Sequence, residues 1–159
     1  MKIGLALREL HRAEKNLVRD LLKVSDRHKA EHEIHHVARD LAGWSERHVR
    51  DLAEAGRRYD LDLGTSVPTS GPLGTIREKA SELTRGLAQP GLLLLADLRR
   101  LHRSAAGVSL DWELLAQGAQ AVKDADLLAL AQQCHPQTLR QMKWSNSMLK
   151  ILSPQVLAS

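Results

Sequence analysis

Phenylalanine is missing from this 159-residue chain, tyrosine occurs once and tryptophan three times. A core without aromatic bulk has to be filled with aliphatic side chains, and Leu and Ala are abundant here while β-branched residues are scarce. That balance favours helices over strands. Cys134 is the single cysteine, which excludes an intramolecular disulfide and a thiolate cage for zinc, and fits a reducing compartment. No apolar run approaches the roughly 20 residues of a membrane span. In the first segment, MKIGLALRELHRAEKNL, charges enter from Arg8 onward and leave no room for the apolar centre of a signal peptide. The expectation is a cytoplasmic protein with no membrane partner.

Acidic residues also run out: none occurs after Asp126. The formal charge is +4, a balance that invites an anionic polymer as partner. The positive charge is thinly spread, however. Arg8, Arg12, Lys15 and Arg19 lie along one flank of the first helical segment with Glu9 and Asp20 interleaved. No aromatic platform for base stacking accompanies them. They read as a solvated helix face, and nucleic acid is not the expected partner.

What the chain has is periodicity. Positions 3, 7, 10, 14, 17, 21 and 24 read Ile, Leu, Leu, Glu, Leu, Leu, Val, the alternating steps of a bundle-core stripe. Ser25 and Asp26 supply turn chemistry, and a second helix is expected from near Arg27 to about Arg58, with the stripe Ile34, Ala38, Leu41, Ser45, His48 and Leu52. Residues 61–75 collect Gly, Pro, Ser and Thr and predict a loop, followed by a short helix over 75–87 inside a crossover of about 59–89. Pro90 can open a third helix, whose stripe runs 94, 98, 101, 105, 108, 112, 115, 119 and 122 despite Gly107. A fourth helix follows to about Leu152, with a kink or break near His135-Pro136. LRELHR at 7–12 returns as LRRLHR at 98–103, and the Trp-Ser pair at 44–45 returns at 144–145, hinting at an internal duplication.

Four long helices, short turns after the first and third, and one long crossover describe a single all-α domain over 1–159. With Ala13-Glu14-Lys15 in its first helix, the chain resembles the ferritin-like superfamily, especially small bacterial bundles of uncharacterised or stress-associated function. The resemblance implies a dinuclear metal centre built from a carboxylate on each of helices one and three and a Glu-x-x-His pair on each of helices two and four. Tested residue by residue, Glu14 matches the first carboxylate. Helix two offers Ser45 and His48, helix three Ala105 and Val108 with Asp111 only beside them, and helix four Ser145 and Met148. With no carboxylate after Asp126, a family-type dinuclear site lacks its fourth-helix ligand whatever the helix register. The expectation is therefore a degenerate di-iron site in a non-catalytic binding or structural module, with no cofactor and with a second copy of the chain as partner.

Two residual metal sites are possible from the residues, each holding one Zn or Fe ion. Glu14 and His48 can meet across neighbouring helices, although a buried Glu–His hydrogen bond is the simpler outcome. His28, His32 and His35, at i, i+4 and i+7, can share one helix face with Glu31 nearby, the spacing at which imidazoles converge on a metal. Cys134 and His135 are adjacent and so point about 100° apart on a helix, which rules them out as a nucleophile–base pair. The apolar stripe also predicts that Glu14→Leu leaves the protein as stable as before or more so.

Overall fold

The computed structural model describes residues 2–67 and 89–159. Four α-helices account for nearly all of them: α1 (Ile3–Arg27), α2 (His32–Arg57), α3 (Pro90–Ala121) and α4 (Ala125–Ala158). No strand occurs among the described residues. The stripes fold as their spacing dictates. Every stripe residue of α1 and α2 is buried, and on α3 only Val122, at the helix end, escapes burial. Trp112 is the largest fully buried side chain, set among leucines that include Leu7, Leu10, Leu52, Leu98 and Leu115.

Contacts between helices fix their directions. Ser25 meets His35 and Glu14 meets His48, so α1 and α2 are antiparallel. His102 meets Ser145 and Ser109 meets His135, so α3 and α4 are antiparallel too. Arg27 meets Asp97 while Ile3 lies against Gly118, which sets α1 against α3 in the same way. Gln141 and Gln137 reach Leu41 and His48 and set α4 against α2. Among the described residues, the backbone of α1 does not run beside that of α4, nor that of α2 beside α3. The helices therefore occupy the corners of a square, with α2 and α3 parallel across one diagonal.

The turns explain the helix ends. Lys123 takes φ 58° and the amide of Asp124 donates back to the Ala119 carbonyl at 2.9 Å, ending α3 with a left-handed residue. One residue later the Asp124 carboxylate caps α4, accepting from the Leu127 amide at 3.0 Å. Asp60, at φ 56°, closes α2 in the same manner, with the Leu61 amide donating to the Gly56 carbonyl at 3.0 Å.

Three boundaries differ from the sequence reading. Ser25 and Asp26 lie inside α1, because the Ser25 hydroxyl donates to the His35 carbonyl at 2.7 Å and serves as a strut between helices. The second helix consequently starts at His32, not near Arg27. His135-Pro136 does not break α4, which runs on through Pro136 and Pro154. The short helix expected over 75–87 lies outside the described residues.

Candidate functional site

The one carboxylate in the α1 stripe ends at the middle of the bundle. Glu14 is fully buried and His48 is 1 % exposed. One turn-aligned position on each of α1 and α2 brings them together, with His48 Nδ1 3.0 Å from Glu14 Oε1. From α3, the Trp112 indole donates its Nε1–H to the same Glu14 oxygen at 2.9 Å. From α4, the Gln137 amide oxygen lies 2.7 Å from His48 Nε2. All four helices thus contribute one side chain to a single polar chain, and the His48 and Trp112 rings meet edge to face at 5.7 Å.

Both His48 nitrogens face oxygen acceptors, so both must carry protons if both bonds are to form, and the ring is then an imidazolium. Burial disfavours that charge, but hydrogen bonds to Cys134 and Glu14 and the charge of Glu14 outweigh it and raise the His48 pKa to about 10. Glu14 and His48 therefore form a neutral ion pair in the core, and Trp112 adds a second donor to the carboxylate.

One turn along, Ser45 finds its reason. The Gln141 amide donates to Ser45 Oγ at 2.9 Å and to the Leu41 carbonyl at 3.0 Å, bridging α4 to α2. Ser145 donates to the Met142 carbonyl of its own helix at 2.9 Å. The seam between α2 and α4 is thus polar along successive turns, from His48 and Gln137 to Ser45 and Gln141. Glu14 Oε2, Thr138 Oγ1 and Gln141 Oε1 are buried without a hydrogen-bond partner.

The histidines of the alternative surface site are dispersed. His28 precedes α2 and pairs through Nε2 with Asp97 Oδ2 at 2.8 Å. His35 Nδ1 lies 2.8 Å from the Ser25 carbonyl, and His32 packs its ring against His36 at 4.3 Å. The i, i+4 premise fails for His28 because it terminates α1 and does not belong to the same helix as the other two. Among the described residues, no group of three or more His, Cys, Asp or Glu side chains is placed to hold a metal ion.

A second buried ionic group closes the far end of the α1–α3 contact. Arg27 reaches Asp97 at 3.2 Å, with both side chains 3 % exposed, and His28 completes the group. Burial pushes the Asp97 carboxyl upward, but His28 and Arg27 more than offset it and hold its pKa below the usual carboxylate value.

Reading the sequence located Glu14 and His48 but missed Gln137, the donor role of Trp112, and Asp97. The usable signal was on α4, where Cys134, Thr138, Gln141 and Ser145 make a polar stripe facing a polar stretch of α2. Compared with protein-family models, curated proteins and solved structures, the chain finds no match.

Proposed function

We propose that this chain is a ferritin-like bundle whose metal centre has been replaced by a hydrogen-bonded polar network, and that it works as a non-catalytic binding or structural module in the form of a homodimer. The observation that carries this reading is the double donation to Glu14 Oε1, by His48 at 3.0 Å and Trp112 at 2.9 Å. A cation binding that oxygen would have to displace an imidazolium and an indole N–H, and the imidazolium would repel it. Parallel α2 and α3 support the single long crossover of the ferritin-like topology. Among the described residues, no helix is long and apolar enough to cross a membrane. With one buried cysteine, the chain suits the reducing cytoplasm.

The test is metal analysis of untagged protein after incubation with excess Fe(II) or Zn(II) and desalting. The expected result is well below one equivalent. One equivalent of metal that disappears in His48→Ala would overturn the proposal in favour of a mononuclear Glu14/His48 centre. Metal that disappears instead on changing His32 or His35 would favour the histidine-rich face.

A further inference from the structure

The two hairpins differ in what they turn outward. α1 exposes Arg8, Glu9 and Arg12 beside a single leucine, Leu5, and α2 exposes Arg47, Arg50 and Asp51. α3 instead turns out Leu92, at 45 % exposure, and Leu110 and Leu114, each at 66 %. A single exposed leucine means little. These three share a stripe, falling within about 40° of one another at roughly 100° per residue. The core side of the helix is apolar, and its outer side mixes these leucines with the exposed Arg99 and Arg103 that lie between Leu92 and Leu110. Within the chain its backbone runs beside only α1 and α4 among the described residues.

The charges on that face are arranged in a way that selects an occupant. Arg99 and Arg103 lie on the N-terminal side of Leu110, and Glu113 lies on the C-terminal side. None of the ion pairs among the described residues engages Arg99 or Arg103. Gly107, between them, has open space about it, since a Cβ there would meet nothing within 4 Å. It therefore permits a close approach of another backbone. A two-fold axis near Gly107 and Leu110 would run two copies of α3 antiparallel. Arg103 of each copy would then lie against Glu113 of the other, with Leu110 packed over Ala106 and Gly107 between the two charge pairs and Leu114 just outside them. Parallel docking would set arginine against arginine and is disfavoured.

We propose that the outer face of α3 is the surface on which two copies of this chain associate, as an isologous pair crossing near Gly107. This rests on the homodimer reading above and names its surface. The test is sedimentation equilibrium of the full chain and of Leu110→Asp, Arg103→Glu, Glu113→Arg and the double variant R103E/E113R, with circular dichroism to verify that each remains helical. Expected are a wild-type dimer, a monomer for Leu110→Asp, a dissociation constant raised about tenfold or more in each single charge variant, and recovery in the double variant. A wild-type dimer that persists unchanged in Leu110→Asp would overturn the assignment of this face and leave the homodimer standing. A wild-type monomer would overturn the homodimer and the assignment together. Loss of the dimer in both single charge variants without recovery in the double variant would overturn the antiparallel two-fold.

Discussion

Replacing Glu14 with leucine is expected to destabilise the protein by about 3–5 kcal/mol, the usual penalty for removing one partner of a buried ion pair. The apolar stripe of α1 by itself argues for the opposite sign. The structure reverses that argument because the carboxylate is not alone: its loss strands a buried imidazolium and a buried indole N–H that both point at its Oε1. The cost lies in what is left behind. Urea denaturation of Glu14→Leu at neutral pH measures it. The double variant Glu14→Leu/His48→Leu should recover part of the loss, since the charge is removed together with its partner. A single variant as stable as the parent protein would show that the network contributes nothing net.

The second large effect is a decline of stability with alkalinity. The folded protein holds the His48 proton up to about pH 10, whereas the unfolded chain releases it near 6.5. Above 6.5 the folded state therefore binds more protons than the unfolded state, and stability falls as pH rises. The contribution is complete below pH 6.5 and lost on approach to pH 10, with a limiting slope of about 1.4 kcal/mol per pH unit. His11, whose pKa burial lowers against a smaller opposing pull from the Gly64 carbonyl, has finished titrating below this window. Melts between pH 7.5 and 9.5 should slope downward in the parent protein and flatten in His48→Leu. Identical slopes in the two would mean that His48 is neutral in the folded state.

Much of this architecture is legible in the sequence because periodicity records burial directly. Glu14, Ser45 and His48 stand out as polar members of apolar stripes, and all three are buried where the stripes place them. What the stripes do not record is partnership. Trp112 reads as core, and it is core, but nothing in its spacing shows that its N–H reaches across to α1. Gln137 is off the stripe, and only the geometry of four helices reveals that its side chain turns inward to His48. Asp97 sits among leucines and looks like a solvated residue until α1 delivers Arg27 and His28 to it. Ser25 misleads for a related reason: a hydroxyl that favours turns locally is held in a helix by a bond to the neighbouring helix.

The span of the central contacts carries a consequence for the lifetime of the fold. Contacts within each hairpin join residues close along the chain, such as Ser25 and His35 at a separation of 10. Glu14 and Trp112 are 98 apart, and His48 and Gln137 are 89 apart. Each hairpin can therefore form from nearby contacts, whereas the network closes only when the hairpins have met, late on the route to the native state. Interactions absent from the folding transition state act on the rate of unfolding and hardly on the rate of folding. The bonds of Trp112 and Gln137 thus guide the chain little on its way in and retard its way out, so Gln137→Leu should appear in stopped-flow kinetics as faster unfolding with folding nearly unchanged.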